Sequence, residues 1–307
     1  MVICSGYFFG PNKIEAYMRA LTAVSIFFLA VVSLAGSQKP SGASPTGGPG
    51  RWQLVWSDEF DHDGLPDSSK WGFDVGGSGW GNKELQYYTE RRKENARVEN
   101  GRLIIEARRE RFDKNEYTSA RLVSKGKGDW TYGRFEVKAK LPSGRGTWPA
   151  IWMLPTGRSY GNGGWPDNGE IDIMEHVGFD PNVIHGSAHT RAYYHVIGTQ
   201  KTARINVPGV STEFNVYAVE WTPDEIRWFI NDKQYFTFTN ERRTQSTADY
   251  KQWPFDRPFH MILNMAVGGT WGGSHGVDES IWPQRMEIEY VRVYQAKPAI
   301  TDSKRRQ

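Results

Sequence analysis

A two-residue alternation of apolar and charged side chains recurs along the sequence and most constrains its fold. Clear examples run from Arg134 to Leu141, from Phe214 to Trp221 and from Glu287 to Tyr294. Since successive side chains of a β-strand point to opposite faces, the alternation predicts strands with one buried and one wet face. Asn100-Gly101 and Asn231-Asp232-Lys233 lie between such strands and predict hairpin turns. Because no long helical periodicity follows residue 50, we predict an all-β jelly-roll sandwich of two antiparallel sheets.

The two ends of the sequence differ in composition from the part between them. The apolar run from Leu21 to Ala35 follows Arg19 and is short for a spanning helix, so we predict that residues 1–37 are a secretory leader. Residues 38–50 are mostly Gly, Ser and Pro and predict a flexible linker. Residues 51–296 are predicted to form one domain and residues 297–307 a disordered tail. We therefore expect a secreted protein, extracellular or periplasmic, whose mature form has no membrane span.

Charge and cysteine content narrow the function classes further. The formal net charge of +3 divides into +2 for residues 1–50, −2 for residues 51–296 and +3 for residues 297–307. The domain therefore lacks the basic face that nucleic-acid binding requires. The one cysteine, Cys4, lies in the leader, so we expect neither a disulfide nor a cysteine metal site in the mature protein.

Three carboxylates crowd into one segment that otherwise reads as a buried strand. In a regular strand Glu170 and Asp172 share a face, whereas Glu175 lies at an odd offset and points away. One extra residue at Ile173 and Met174, a β-bulge, would turn Glu175 to the face of the other two. Such bulges are over-represented beside active sites. The sequence therefore predicts one row of three acids.

The dimensions of this row suit glycosidase chemistry. With a bulge, Glu170 and Glu175 are about four strand steps apart, roughly 13 Å between Cα atoms, and leaning side chains could approach the ~5 Å carboxyl separation of a retaining enzyme. Like charges at short range separate their pKa values and supply one ionised and one protonated carboxyl. A solvated strand face and a calcium site are the alternatives. The apolar back positions Ile171 and Ile173 and the flanking tryptophans favour catalysis.

Several further segments give the chain a family likeness. The acidic segment resembles the bulged signature Glu-x-Asp-x-x-Glu of glycoside hydrolase family 16, and other matching segments are Trp56–Asp61, Trp80–Thr89, Ser119–Leu122, Gly146–Leu154, His185–Thr190 and Leu263–Gly269. The resemblance is to bacterial laminarinases, which are endo-β-1,3-glucanases; the branch that cleaves mixed-linkage 1,3-1,4-glucan characteristically lacks the extra residue. It implies a curved, concanavalin A-like jelly roll, with substrate along the concave face.

The resemblance also implies roles for the three acids. Glu170 corresponds to the nucleophile, Asp172 to a helper that holds it, and Glu175 to the general acid/base of a retaining double displacement. No cofactor takes part in the reaction. The expected partner is a β-glucan polysaccharide, and we expect a monomer. Mixed-linkage glucan, another polysaccharide, transglycosylation and a non-catalytic lectin remain alternatives.

Aromatic and polar residues are candidates for substrate binding. Trp148 and Trp152 lie four apart and share a strand face, which predicts flat walls for sugar rings. Trp165 and Trp271 lie in Gly-rich loops that could line a cleft or merely cap it. Ordinary core packing is the alternative for Trp148 and Trp152.

Polar candidates rest on the family match. Asn82, Glu84 and Arg121 match positions near the glycone subsites, although Arg121 could be a surface arginine of a strand. His189 shares a strand face with His185 and matches a position beside the acid/base; a core histidine is the alternative. Asn264 is a comparable candidate.

The resemblance further implies a structural calcium ion, away from the chemistry. Its ligands would be Glu59, the carbonyl of Gly101 and Glu289. The last of these replaces the usual aspartate, and its additional methylene displaces the ligand oxygen.

Overall fold

The computed structural model describes residues 52–297, which form a β-sandwich. The predicted leader and linker, and the tail beyond Lys297, lie outside the described residues. Within them two 3₁₀ turns, His195–Ile197 and Glu241–Arg243, are the helical elements. The strands are Trp52–Asp58 (β1), Gly72–Phe73 (β2), Gln86–Tyr88 (β3), Ala96–Glu99 (β4), Arg102–Phe112 (β5), Asn115–Ser119 (β6), Arg121–Val123 (β7), Asp129–Trp130 (β8), Gly133–Lys140 (β9), Thr147–Pro155 (β10), Glu170–Glu175 (β11), Val183–His189 (β12), Lys201–Asn206 (β13), Asn215–Trp221 (β14), Glu225–Ile230 (β15), Lys233–Thr239 (β16), Phe259–Val267 (β17) and Gln284–Ala296 (β18).

The strands form two sheets. The ten-stranded sheet has the order β16-β15-β14-β9-β18-β5-β6-β3, with β1 paired to β18 and β4 to β5. The eight-stranded sheet has the order β13-β12-β11-β10-β17-β7-β2, with β8 paired to β17. Pairing is antiparallel except between the short strands β3 and β6, which are parallel. The predicted all-β sandwich is confirmed.

Both predicted hairpin turns occur at residues with left-handed backbone conformations. Asn100 and Gly101 have φ values of 53° and 71°, and Asn231 and Asp232 have 49° and 63°. Two consecutive positive φ values match the right-handed twist of the flanking strands, which is why Asn, Asp and Gly occupy these positions. The turns join β4 to β5 and β15 to β16.

Strand alternation separates the core from the outer faces. Ile151 and Met153 of β10 and Phe135 and Val137 of β9 are fully buried between the sheets. The intervening side chains of β10 therefore point to the opposite, outer face of the eight-stranded sheet. Within residues 52–297 no helix has the length and apolar character needed to cross a bilayer.

Tryptophan serves both the core and the outer face. The chain has thirteen. Seven of them lie in the core or pack against it: Trp56, Trp71, Trp130, Trp221, Trp228, Trp253 and Trp282. Packing thus accounts for about half of the tryptophan content.

Candidate active site

A β-bulge interrupts β11 where the spacing of the acids predicts one. On the β10 side, Met174 pairs with Ile151 but Asp172 with Trp152, so Ile173 is the additional residue. On the β12 side, Asp172 pairs with Ser187 and Glu175 with His185. Between these two pairs β11 advances three residues, whereas β12 advances two. The predicted bulge is confirmed.

The bulge places the three acids on the outer face of the sheet. Ile171, Ile173 and Met174 are essentially inaccessible and pack in the core. Glu170, Asp172 and Glu175, called the acidic row below, face a cleft instead. The residues paired with Glu170 and Glu175 on β12 are His189 and His185, which are four residues apart. The row therefore spans four strand steps, as predicted.

The cleft has a volume of about 970 Å³ and lies on the outer face of the eight-stranded sheet. All the residues singled out from the sequence for catalysis or substrate binding line it. They are Asn82, Glu84, Arg121, Trp148, Trp152, Trp165, Glu170, Asp172, Glu175, His189, Asn264 and Trp271.

Two tryptophans donate hydrogen bonds to the glutamates. Trp148 Nε1 lies 3.1 Å from Glu175 Oε1, and Trp165 Nε1 lies 2.9 Å from Glu170 Oε2. Both residues were predicted only as walls for sugar rings. Each one also fixes the orientation of a carboxylate that could take part in the reaction. Trp271 packs edge-on against Trp148, with the ring centroids 5.5 Å apart.

His189 lies beside Asp172 and Glu170. Its Nε2 atom is 3.2 Å from Asp172 Oδ2 and 3.9 Å from Glu170 Oε1. The register partner of Glu175 is His185 rather than His189. His189 therefore contacts Asp172 and the Glu170 end of the row, and it also lowers the pKa of Glu175 electrostatically. Trp228 Nε1 donates to the backbone oxygen of Asp172 at 2.8 Å and so ties the bulged strand to the core.

Burial raises the pKa of every acid in the row. Desolvation, followed by repulsion from Asp172, raises the pKa of Glu170 to about 8. Desolvation also raises the pKa of Glu175 to about 7. The charge of His189 lowers this pKa, and repulsion from Glu170 raises it. For Asp172, desolvation and then repulsion from Glu175 place the pKa well above its ordinary value. The row therefore retains protons near neutral pH, which general acid catalysis requires.

A hydrogen-bond network continues from the row across the cleft floor. Trp152 Nε1 donates to Asn264 Oδ1 at 2.7 Å, and Asn264 Nδ2 donates to the Tyr88 hydroxyl at 2.9 Å. That hydroxyl donates to Glu84 Oε2 at 3.2 Å. Asn82 Nδ2 donates to Glu84 Oε1 at 3.3 Å. The network fixes polar groups from three separate segments in one surface.

Arg121 lies between two tryptophan rings. Its guanidinium carbon is 4.7 Å from the ring centroids of both Trp80 and Trp152, and Nε is 2.9 Å from Asp74 Oδ2. The residue is 8% exposed, which excludes the alternative of a surface arginine. Cation–π contact on both faces holds the rings in place at this end of the cleft.

Comparisons with known proteins now identify the family. The family model described as glycosyl hydrolases family 16 matches residues 83–292. The chain belongs to this family. It is 59% identical over 282 residues to a beta-glucanase of Rhodothermus marinus, covering 92% of this chain and 96% of that protein. The chain is therefore a glycoside hydrolase of family 16.

Solved structures of family members share the fold. The X-ray structure of the laminarinase from Rhodothermus marinus is 64% identical, with a TM-score of 0.80, covering 80% of this chain and 98% of that chain. The structure of SCLam, a non-specific endo-beta-1,3(4)-glucanase, is 46% identical, with a TM-score of 0.76, covering 82% and 94%. The family and fold expected from the sequence are confirmed.

Some residues that line or support the cleft of this family 16 domain were not singled out from the sequence. Tyr88 is fully buried and links Glu84 to Asn264. Tyr194 and His195 pack against Trp165, with ring centroids 5.6 and 5.2 Å away. Tyr88 lies in the segment Trp80–Thr89, which is one of those that resemble the family. Tyr194 and His195 belong to a loop, and no local sequence pattern indicates that this loop approaches Trp165.

The calcium ligands implied by the family resemblance contact basic side chains. Both carboxylate oxygens of Glu59 accept hydrogen bonds from Arg292 at 2.9 Å. Glu289 lies 2.7 Å from Lys138 Nζ. A calcium ion would compete with these cations for the same oxygens. The calcium site stays a prediction.

Proposed function

We propose that this family 16 domain is a retaining endo-glycosidase that hydrolyses internal β-1,3 bonds of laminarin-like glucans. The observation that carries the proposal is the bulge, which brings two glutamates and an aspartate to one face in a tryptophan-lined cleft. Names of similar proteins, beta-glucanase and laminarinase, support the substrate class.

In the proposed mechanism, ionised Glu170 attacks the anomeric carbon while Glu175 donates its proton to the departing glycosidic oxygen. Burial favours a protonated Glu170 more strongly than a protonated Glu175, so the reacting state is the less populated one, in which the proton resides on Glu175. A covalent glycosyl-enzyme forms, and Glu175 then removes a proton from the water that hydrolyses it. The Trp165 hydrogen bond stabilises the charged form of Glu170. Asp172 is buried next to Glu170, and repulsion between the two carboxylates disfavours a state in which both are ionised.

The tryptophans and the polar network are proposed to form the subsites. Trp152 is fixed by Asn264 and Arg121, so its ring can offer a preset surface to a sugar. Glu84 and Asn82, at the end of the network, can accept from and donate to hydroxyl groups. Trp165, which is 45% exposed, covers the Glu170 end.

Mixed-linkage β-1,3-1,4-glucan is the second candidate substrate. The observation that favours it is the likeness to a protein named as a non-specific endo-beta-1,3(4)-glucanase. The bulge favours β-1,3-glucan through the family resemblance, because the mixed-linkage branch characteristically lacks the extra residue, and the shape of the subsites decides how far mixed linkages are also accepted. Transglycosylation differs only in the acceptor that enters the second step.

Cellular location, assembly and metal content are further proposals. The apolar run from Leu21 to Ala35 after Arg19 supports export, and a freely exported monomer is the simplest expectation. A calcium ion at Glu59, Gly101 and Glu289 would raise the melting temperature on calcium addition and lower it with a chelator. An unchanged melting temperature in both conditions would argue against the ion.

Reducing-sugar release across a substrate panel tests the proposed function. The panel contains laminarin, curdlan, lichenan, agarose and carrageenan, with Glu170→Gln as the inactive control. We expect the largest rate on laminarin. Turnover limited to a sulfated galactan would contradict the glucan assignment, and unchanged turnover in the variant would contradict the role of Glu170. Loss of turnover with retained oligosaccharide binding would separate an enzyme from a lectin.

A further inference from the structure

The geometry points to a zinc-binding site formed by Glu170, Asp172 and His189, in which a bound ion blocks the cleft. One donor atom of each residue lies within 4.8 Å of those of the other two. Within residues 52–297 this is the one group of three such side chains that converges in this way. Its inhibitory effect rests on the proposed function, whereas zinc binding does not.

The separations fit a tetrahedral ion. With bonds of about 2.1 Å to nitrogen and oxygen, ligands of a tetrahedral zinc ion lie roughly 3.4 Å apart. His189 Nε2 lies 3.2 Å from Asp172 Oδ2 and 3.9 Å from Glu170 Oε1. The strands β11 and β12 fix these atoms, because Glu170 and His189 are register partners. Only small side-chain movements separate this arrangement from a coordination shell.

The site also brings two carboxyl groups together without a strong cation among the described residues. Among the described residues, the ion-pair partner of Glu170 and Asp172 is His189, and no lysine or arginine reaches them. Asp172 is 2% exposed, and its Oδ2 atom lies 3.2 Å from His189 Nε2. A carboxylate buried to this depth and balanced by a single imidazole is costly unless a ligand compensates it. A divalent ion supplies that compensation.

The donor set selects zinc over the hard cations. One imidazole and two carboxylates suit zinc, whereas magnesium and calcium prefer shells made of oxygen alone. Coordination through Nε2 leaves the proton of His189 on Nδ1, which is buried and has no acceptor in residues 52–297. Because zinc ligands usually donate this proton to an acceptor, affinity should be lower than at structural zinc sites.

The fourth position of the ion opens to the cleft that holds the substrate. A bound zinc ion therefore coordinates the carboxylate of Glu170, which would otherwise attack the anomeric carbon. Inhibition by zinc should be competitive with β-glucan. Glu175 is not a ligand, since it lies at the other end of the row.

Isothermal titration calorimetry with zinc chloride, in the absence of sugar, tests the site directly. The full chain should bind one zinc ion at this site, and affinity should fall at least about tenfold in His189→Ala and Asp172→Asn. His62→Ala removes an exposed histidine far from the ligands in sequence and should bind as the parent does. Magnesium chloride should give no heat attributable to the site. Asp172→Asn keeps the size of the side chain and carries the test if His189→Ala fails to fold.

Glu175→Gln separates the zinc site from the proposed reaction. It should lose turnover yet bind zinc with the affinity of the parent. Equal zinc affinity in the parent, His189→Ala and Asp172→Asn would overturn the site, whatever the activity. Zinc binding that depends on these residues, in a protein without glucanase activity, would instead overturn the proposed function and leave the zinc site standing.

Discussion

The two sheets bury acidic side chains on their outer faces in opposite ways. In the ten-stranded sheet, Glu220 accepts hydrogen bonds from Arg134 at 3.2 Å and from Arg227 at 2.6 Å. Arg134 is itself fully buried, and Glu136 shares it at 2.6 Å. In the eight-stranded sheet, Asp172 is 2% exposed, like Glu220, and the two glutamates of the acidic row are partly buried. None of the three has a lysine or arginine within ion-pair distance among the described residues.

This difference shows why burial alone does not mark a functional site. An acid that faces an arginine directly across the strands can remain charged and contributes to the fold. An acid buried beside other acids retains a proton, and a group that can exchange a proton near neutral pH can catalyse. The missing countercharge, rather than the depth of burial, distinguishes the row.

The largest expected difference between the sheets is in turnover. Glu170→Gln and Glu175→Gln should each reduce kcat at least about a thousandfold, because one removes the attacking carboxylate and the other the proton donor. Glu220→Gln makes the same chemical change in the other sheet and should leave kcat per folded molecule near that of the parent. Initial rates on laminarin measure kcat in the three variants. A comparable loss in all three would contradict the functional difference between the two sheets.

For stability, the variant in the ten-stranded sheet should show the larger loss. Glu220→Gln weakens the partner of the fully buried Arg134, so its cost should approach the ~3–5 kcal/mol of a broken buried pair, reduced by the remaining contacts to Glu136 and Asp232. Glu170 is mostly protonated at pH 7, because its pKa is raised to about 8, so Glu170→Gln replaces one neutral side chain with another and should not destabilise the protein. Urea unfolding at pH 7 gives both values. A destabilised Glu170→Gln with a stable Glu220→Gln would contradict the comparison.

The stability should also depend on pH through the row. Since the pKa of Glu170 is raised to about 8 by burial, the folded protein binds more protons than the unfolded chain above pH ~4.5. Its contribution therefore becomes less favourable as pH rises from ~4.5 to about 8, and is constant below both pKa values. Glu170→Gln should gain a few kcal/mol relative to the parent at pH 8 and little at pH 4. A difference independent of pH would show that Glu170 is charged throughout.

The smallest expected effect concerns Trp148. Its hydrogen bond lowers the pKa of Glu175, so Trp148→Phe, which keeps a ring but loses the donor, should raise that pKa. Since Glu175 must be protonated to act, the alkaline fall of kcat near pH 7 should move to higher pH, by less than about one unit. Trp271→Phe, which changes a ring contact but no bond to Glu175, serves as the matched control. No shift in Trp148→Phe, or an equal shift in both, would contradict the role of this hydrogen bond.

Local patterns predicted the sandwich and the acidic row because both depend on the two-residue period of a strand. The odd offset of Glu175 required a bulge, and the register of β11 with both neighbours contains it. The positive φ values at Asn100 and Asn231 are likewise local properties. Sequence reasoning succeeds here because the constraint lies within a few residues.

Contacts between distant loops could not be derived in the same way. Trp165 reaches Glu170 from one loop, and Tyr194 and His195 reach Trp165 from another. Nothing in the spacing of these residues fixes how the loops close. The link from Glu84 through Tyr88 to Asn264 likewise joins strands of both sheets. Such contacts arise from the tertiary fold.

The anomeric configuration of the first product tests most directly the claim that the bulge makes one catalytic row. Proton NMR of a laminari-oligosaccharide, recorded within minutes of adding the protein and before mutarotation, distinguishes the two anomers. The proposed retaining mechanism predicts that the β-anomer appears first. Initial appearance of the α-anomer would show inversion, and would contradict Glu170 as the nucleophile and the row as the catalytic unit.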